Sequence, residues 1–163
     1  MKFGLLADSH DHLEHLERAL AIFRERGVEW ILHAGDIVSP PMVLAMQGFR
    51  LTAVYGNNDG EKVGLLKAAE KIGGQLNSDF AELDAPSGNG RIALYHGTYA
   101  PFWVSMTLSG NYRVVVTGHT HKPVNRMEGN TLVLNPGTSH GFRQRATAMV
   151  YDDAACAAEL IEL

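Results

Sequence analysis

The chain has 163 residues, of which 45% are hydrophobic and 20% charged, and its formal net charge is −4. This composition is that of an ordinary globular domain and excludes the strongly basic footprint of nucleic-acid-binding proteins. The single cysteine, Cys156, excludes an internal disulfide and favours a reducing compartment. No apolar run approaches the ~20 residues of a membrane span, and the start lacks a signal-peptide layout. We therefore expect a cytoplasmic protein without a membrane partner.

The first half of the chain alternates predicted strands and helices. An apolar strand, 3–7, precedes a helix whose leucines recur at helical spacing, with Asp11 as the predicted cap and Gly27 as the stop. Further strands are predicted at 30–33 and 51–55, each followed by a helix, at 42–47 and 63–72 respectively. This order is typical of β-α-β units with a parallel sheet.

The second half is predicted to be rich in strands. Six strand-length runs are separated in places by tight-turn sequences, which suggests a meander, and they lie at 80–83, 91–96, 113–117, 124–127, 131–135 and 146–151. The two halves together predict an α/β fold in which two sheets pack face to face as a β-sandwich flanked by helices. Because no linker or repeat interrupts the chain, we expect one domain over 1–163.

Polar side chains follow five of the predicted strands directly. Because ligands gather outside the carboxyl ends of strands in open α/β sheets, these side chains are candidates for one shared site. Glycine is present in four of the five segments, where it lets the backbone turn sharply. The candidate ligands are Asp8, His10, Asp36, Asn57, His96, His119 and His121.

The candidate ligands are nitrogen and oxygen donors without thiolate. Such a set suits Mn²⁺, our first expectation, with Ni²⁺, Zn²⁺, Fe or Co²⁺ as alternatives. Seven ligands are too many for one ion, so we predict two divalent ions roughly 3.5–4 Å apart, bridged by Asp36. A pair of this kind activates a bridging hydroxide for in-line attack on phosphorus.

The ordered set resembles the calcineurin-like metallophosphoesterase superfamily, whose pattern is Asp-x-His, Gly-Asp, Gly-Asn-His-Glu or Asp, a later His, and Gly-His-x-His. The resemblance runs from Asp8 to the turn at 135–138. The short length and the Gly-Asn-Asn-Asp version of the third motif resemble the small prokaryotic YfcE-type phosphodiesterases, which share the architecture of Vps29. The resemblance implies a four-layer α/β/β/α fold with helices on both outer faces. It also implies one metal held by Asp8, His10 and His121, another held by Asn57, His96 and His119, and Asp36 between them.

Two positions depart from the fuller superfamily pattern. Asn58 stands where a histidine acts as general acid or orients the phosphate, with Asp59 at the acidic position beside it, and Thr98 replaces a second common histidine. Because an amide cannot transfer a proton usefully, we expect catalysis to depend on the metals and to favour good leaving groups. His140 and Arg143 follow the turn at 135–138 and form either a solvated loop or a pair that contacts phosphate.

Two functions from different classes stay open at this point. The first is a metal-dependent phosphodiesterase, a phosphoric ester hydrolase, acting on a small phosphodiester substrate. The second is a metal-binding protein-interaction scaffold of the Vps29 kind, which an exposed apolar patch away from the site would favour. The residues leave a homo-oligomer open in either case. We expect His33 to be a hydrogen-bonded core residue, and Phe102 and Trp103 to form either an apolar wall for a substrate or part of the core.

Overall fold

The computed structural model describes residues 1–163, which form four helices and eleven strands. The helices are α1 (Leu13–Glu25), α2 (Pro40–Ala45), α3 (Lys62–Lys71) and α4 (Ala100–Leu108). The strands are β1 (Lys2–Leu6), β2 (Trp30–His33), β3 (Arg50–Val54), β4 (Gln75–Asn77), β5 (Phe80–Asp84), β6 (Arg91–Tyr95), β7 (Val114–Val116), β8 (Val124–Glu128), β9 (Thr131–Asn135), β10 (Thr147–Asp152) and β11 (Ala157–Glu162). None of the helices combines the length and apolar character that crossing a bilayer requires.

The first sheet has the strand order β11-β10-β1-β2-β3-β4. Strands β1 to β4 are parallel, as the alternation of strands and helices predicts, while β10 and β11 extend the sheet in antiparallel pairing. The central strands β1, β2 and β3 are mostly apolar, which agrees with the burial of both of their faces, and His33 and Thr52 are their buried polar residues. Leu5 and Leu6 are adjacent and therefore point to opposite faces, one into each of two hydrophobic clusters.

The second sheet has the order β5-β6-β7-β9-β8 and is not a meander. Strands β6, β7 and β9 are parallel, and only the edge strands β5 and β8 pair antiparallel with their neighbours. Parallel neighbours require a crossover connection, and α4 supplies it between β6 and β7. The expected meander was wrong because α4 was not predicted. Its apolar residues are spread around the helix, and only Thr107 is buried, so no helical stripe is visible in the sequence.

The sheets pack face to face, as predicted. One hydrophobic cluster fills the space between them and includes Phe3 of β1, Val114 of β7 and Leu132 of β9. A second cluster lies between the first sheet and helices α1, α2 and α3. Helix α4 lies on the outer face of the second sheet, where the hydroxyl of Thr131 donates a hydrogen bond to the carbonyl oxygen of Thr107 (3.1 Å). Helices therefore cover both outer faces, and the predicted α/β sandwich is confirmed.

Candidate metal centre

Asp8, directly after β1, lies at the centre of the first group of candidate ligands. Its Oδ1 is 3.3 Å from Nε2 of His121 and 4.0 Å from Nε2 of His10, and these two nitrogens are 3.4 Å apart. Asp8 Oδ2 accepts a hydrogen bond from the backbone N–H of His119 (2.8 Å), but Oδ1 is buried and has no hydrogen-bond partner. An orphaned carboxylate oxygen beside two imidazole nitrogens fits a divalent cation, which would satisfy all three atoms.

Asp36, in the loop after β2, lies between His10 and His96. Its Oδ2 lies 3.6 Å from Nε2 of His10, and its Oδ1 lies 3.6 Å from Nε2 of His96. Ligand atoms of Asp8, Asp36 and His96 lie within 4.8 Å of one another and form a second group that could hold an ion. The side-chain oxygen of Asn57 is 3.0 Å from Nε2 of His96. One carboxylate therefore lies between two sets of ring nitrogens.

The hydrogen bonds of His96 determine which ring nitrogen is free. Its Nδ1 lies 2.6 Å from the carbonyl oxygen of Ala34, so Nδ1 carries the proton and donates it. Burial lowers the pKa of His96 and keeps the ring neutral, which leaves a lone pair on Nε2. That lone pair faces oxygens of Asp36 and Asn57. A histidine fixed through one nitrogen and facing acceptors with the other has the arrangement of a metal ligand.

The remaining histidine candidates lie around the same point. The ring of His119 makes an edge contact with His96 at a centroid distance of 5.1 Å. Burial and the nearby His10 lower the pKa of His121, so its ring is also biased towards the neutral form that binds metal. The structure thus brings all seven predicted ligands to one edge of the two sheets.

Burial lowers the pKa of His96 and His121, but it raises the pKa of the Asp8 carboxyl group. Desolvation, and then the neighbouring charge of Asp36, raise the pKa of Asp8 to about 8. A bound cation would favour the ionised form and reverse this effect. The buried carboxylates of Asp8 and Asp36 therefore complement the positive charge of a metal ion, and keeping both ionised without a cation is energetically unfavourable.

The backbone at the cluster is strained. Nine residues other than glycine have positive φ, and five of the nine belong to the seven candidate ligands: Asp8, His10, Asp36, His119 and His121. Each such conformation costs on the order of 1–3 kcal/mol and persists only where the surroundings hold it. This concentration of left-handed residues is the backbone observation that most strongly marks the strand ends as a functional site.

Asp59 holds two of the strand-end loops together. It is 2% exposed, and its Oδ2 accepts hydrogen bonds from the backbone N–H groups of Asp36 (2.9 Å) and Gly56 (2.7 Å). Its Oδ1 accepts a third from the N–H of Val38 (2.7 Å). The loop after β2 and the loop after β3 are therefore joined through one carboxylate. The neighbouring Asn58 is exposed and hydrogen-bonds to the carboxylate of Asp36.

The two loops approach each other so closely that glycine is required at both. Gly35 has a φ of +93°, and a Cβ on it would lie 2.7 Å from the backbone nitrogen of Gly56. A Cβ on Gly56 would overlap the carboxylate of Asp36. The glycines of the strand-end motifs thus allow Asp36 to reach its position between the histidines.

The segment after β9 brings His140 to the cluster but not Arg143. The backbone N–H of His140 donates to the carbonyl oxygen of Asp8 (3.2 Å), and its half-buried ring lies 5.8 Å from that of His10. Arg143 is exposed, makes no hydrogen bond or ion pair within the chain, and lies with its guanidinium 5.1 Å from the ring centre of Phe142.

Sequence reasoning missed the structural part that the α1 histidines play. His12, rather than the predicted Asp11, caps α1, because its Nδ1 accepts the backbone N–H of His15 (3.3 Å). Asp11 instead accepts a hydrogen bond from the hydroxyl of Ser39. Nδ1 of His15 donates to the carbonyl oxygens of Ser139 and His140, at 3.1 Å each, and so holds the loop that carries His140. No sequence pattern indicates this contact, because it joins positions more than 120 residues apart.

His33 is the core histidine that the sequence predicted. It is fully buried, its Nδ1 accepts the backbone N–H of Gly35 (3.2 Å), and its Nε2 lies 3.1 Å from the hydroxyl of Ser9. Burial lowers its pKa to about 3, so the ring is neutral. Both nitrogens are occupied, which leaves none for a metal.

Comparison with known proteins agrees with this site. Residues 1–154 match the calcineurin-like phosphoesterase superfamily domain. The chain belongs to this superfamily. It is similar to phosphodiesterase MJ0936 of Methanocaldococcus jannaschii, with 33% identity over 145 residues that cover 87% of this chain and 86% of that protein. It is also similar to phosphodiesterase YfcE of Escherichia coli, with 25% identity covering 85% of this chain and 79% of YfcE.

Solved structures of the calcineurin-like phosphoesterase fold superpose over almost the whole chain. The structure of an archaeal phosphodiesterase matches with a TM-score of 0.93 and 31% identity, over 100% of both chains. The YfcE structure matches with a TM-score of 0.73 and 21% identity, covering 99% of this chain and 98% of that one. Zinc-bound Vps29 of Entamoeba histolytica matches with a TM-score of 0.61 and 17% identity, covering 99% of each chain. The last two show a shared fold alone.

Proposed function

We propose that this chain is a phosphodiesterase that works with two divalent metal ions, and that these ions are Mn²⁺. The observation that carries the proposal is the position of Asp36, whose two oxygens each lie 3.6 Å from a different histidine, His10 and His96. A carboxylate in this position suits two ions better than one. The phosphodiesterases among its relatives support the same substrate class.

The proposed ligands divide into two sets that share Asp36. Asp8, His10 and His121 would hold one ion, and Asn57, His96 and His119 the other. When bound, two such ions supply a nucleophilic water at neutral pH and neutralise charge on the phosphoryl oxygens. The protein's contribution is to hold the ligands in strained but fixed positions, so that the ions and the phosphate meet in one geometry.

Other residues would position these ligands. Asn58 orients Asp36 through its amide, and Asp59 joins the loops that carry Asp36 and Asn57. We therefore assign both residues positioning roles and not proton transfer. An amide has no proton to give at neutral pH, and both oxygens of Asp59 already accept backbone N–H groups.

His140 is the proposed hydrogen-bond donor to the substrate phosphate. Its Nδ1 accepts the backbone N–H of Phe142 (3.2 Å), and burial lowers its pKa, so the neutral ring carries its proton on Nε2. An Nε2–H group close to His10 can donate to a phosphoryl oxygen or to a leaving oxygen. Arg143, in the same loop, stays a predicted phosphate contact, since its guanidinium makes no hydrogen bond or ion pair within the chain.

The proposal is tested by hydrolysis of bis-p-nitrophenyl phosphate after the metal-free protein is reconstituted with Mn²⁺, Ni²⁺, Zn²⁺, Fe²⁺ or Co²⁺. We expect turnover that requires metal and is lost in His96→Ala, whereas Glu17→Ala, on the exposed side of α1, serves as the matched control. Positions 58 and 98 carry Asn58 and Thr98 instead of histidine, so no general acid is available there. The rate of hydrolysis should therefore fall steeply as the pKa of the leaving group rises. Absence of turnover in protein shown to hold two ions would contradict the proposal.

A binding scaffold of the Vps29 kind is the second candidate. The observation in its favour is an exposed apolar pair on the outer face of α3, Val63 and Leu66, which are 64% and 40% exposed and lie one turn apart. The pair lies outside the cluster of ligands. Full metal occupancy with no hydrolysis of any phosphoester would favour this candidate over the enzyme.

A further inference from the structure

A large cleft opens beside two of the candidate metal ligands. Its volume is about 690 Å³, and His96 and Asn57 line one end of it. Clefts of about 300–1,000 Å³ are typical of sites for organic molecules of drug or cofactor size. A phosphoryl group held at the metals would fill only a small part of this space, so the cleft has room for one of the organic groups that the phosphate esterifies.

Both sheets contribute aromatic rings to the lining of the cleft. Tyr55 follows β3 of the first sheet, whereas Phe80 and Tyr95 are paired neighbours on β5 and β6 of the second sheet. Phe102, on α4, completes the aromatic lining. Phe80 and Phe102 are 39% and 59% exposed, so both rings are accessible to a ligand in the cleft.

Hydrogen bonds hold the tyrosines by their hydroxyl groups. The hydroxyl of Tyr55 donates to the carbonyl oxygen of Lys62 (2.7 Å), and that of Tyr95 accepts the backbone N–H of Tyr99 (3.0 Å). Phe102 packs against the rings of Tyr95 and Tyr99, with centroid distances of 6.2 Å and 5.4 Å. The hydroxyl groups of both tyrosines are therefore occupied. Tyr95 is buried and supports Phe102, whereas the partly exposed ring of Tyr55 and the exposed ring of Phe102 are available to stack on a flat ligand.

Polar groups at the same cleft distinguish between flat ligands. The ammonium of Lys62 lies 5.2 Å from the centre of the Tyr55 ring, and Asp79, Thr98 and Ser105 add a carboxylate and two hydroxyls. Donors and acceptors around aromatic walls match the edge of a nucleobase better than they match a plain hydrocarbon ring. The net charge of −4 and the carboxylate of Asp79 are unfavourable for a long polyanion.

We propose that this cleft binds the base of a small nucleotide-type phosphodiester, placed so that its phosphate reaches the metal cluster. The proposal rests on the proposed function, because it names the substrate class of that site. It makes Phe102 and Phe80 specificity-determining residues, which stack on the base and have no part in the attack on phosphorus.

The test compares adenosine 5′-monophosphate with ribose 5-phosphate, which carries an anomeric hydroxyl in place of the base. Their affinities are measured by calorimetry on metal-free and on Mn²⁺-loaded protein. We expect the nucleotide to bind about tenfold more tightly than the sugar phosphate, which is the effect of one stacked base. Phe102→Ala and Phe80→Ala should each bring the affinity ratio close to one. Leu108→Ala, an exposed residue of α4 outside the cleft, is the matched control and should keep the ratio.

Each outcome separates this inference from the proposed function. Equal affinities for the two ligands would overturn the inference, as would a ratio that neither phenylalanine variant changes. Both results could occur in a protein that still hydrolyses bis-p-nitrophenyl phosphate. A preserved ratio in protein that hydrolyses no ester would instead support the base-binding cleft and contradict the proposed phosphodiesterase.

Discussion

Asn58 donates two hydrogen bonds to Asp36, one to each carboxylate oxygen: its backbone N–H to Oδ1 (2.8 Å) and its amide Nδ2 to Oδ2 (2.7 Å). The residue that replaces the superfamily's histidine therefore orients the carboxylate that we propose to bridge two metals. An amide can do this at any pH, but it cannot protonate a leaving group. Asn58 thus supplies two hydrogen bonds that orient Asp36 where a histidine would supply an acid.

We predict that Asn58→His will increase turnover of phosphodiesters with poor leaving groups. A well-placed general acid contributes about 10²–10⁴-fold, and we expect the lower end, because Thr98 also replaces a histidine. Asn58 is exposed, so the fold should tolerate the change. Asn58→Ala is the control that removes the amide without adding an acid. Full metal content with no gain on any poor-leaving-group ester would show that an acid is not what this site lacks.

Asp36→Asn should weaken both metal sites together. The carboxylate lies between His10 and His96, and the amide would keep its shape but lose its charge. Metal content after dialysis, measured by mass spectrometry, should fall for both ions. His121→Ala, which changes a proposed ligand of one ion only, should lower the content by about half as much. Loss of a single ion in Asp36→Asn would contradict the bridging role.

Asp59→Asn should destabilise the fold. The carboxylate accepts three backbone N–H groups, and an amide can offer an acceptor at only one of its two side-chain positions. Hydrogen bonds to charged groups contribute about 1.5–3 kcal/mol each, so we expect a loss of at least about 2 kcal/mol in urea unfolding. Asp79→Asn, at an exposed carboxylate, should have almost no effect on stability. Equal stability of the two variants would show that the loops do not depend on Asp59.

Removal of metal should make stability fall with rising pH between about 6.5 and 8. Asp8 has a pKa of about 8 in the folded state against 3.8 in the unfolded chain, so over this interval the folded state binds more protons than the unfolded state. His33 acts in the opposite direction, but only below its unfolded pKa of 6.5, because its folded pKa is about 3. The expected loss above pH 6.5 is about 2 kcal/mol. It is measured by urea unfolding of chelator-treated protein at several pH values.

Two controls connect this pH dependence to the metal site. Adding Mn²⁺ should remove the loss of stability, because a cation favours the ionised form of Asp8. Asp8→Asn should remove it in metal-free protein, because the titrating group is gone. A slope that persists in Asp8→Asn would assign the effect to another group.

The sequence by itself determined the parallel half of the fold and the position of the polar residues within it. Strands β1 and β2 are largely apolar and buried on both faces, and each is followed within three residues by a carboxylate, Asp8 or Asp36. Parallel strands present their carboxyl ends at one edge, so the order of residues along the chain already placed the candidate ligands together. The superfamily to which the chain belongs could be inferred from the same residues.

Only the tertiary structure decided the features that depend on distant or non-periodic contacts. Helix α4 has no apolar stripe, and the edge strands β4 and β11 are too short or too exposed to show a clear pattern. The three N–H groups that Asp59 accepts and the contact of His15 with the loop of His140 join separate segments of the chain. The aromatic cleft exists because two sheets pack with their strand ends aligned. Local propensity and periodicity describe one segment at a time, whereas these features arise from the packing of segments against each other.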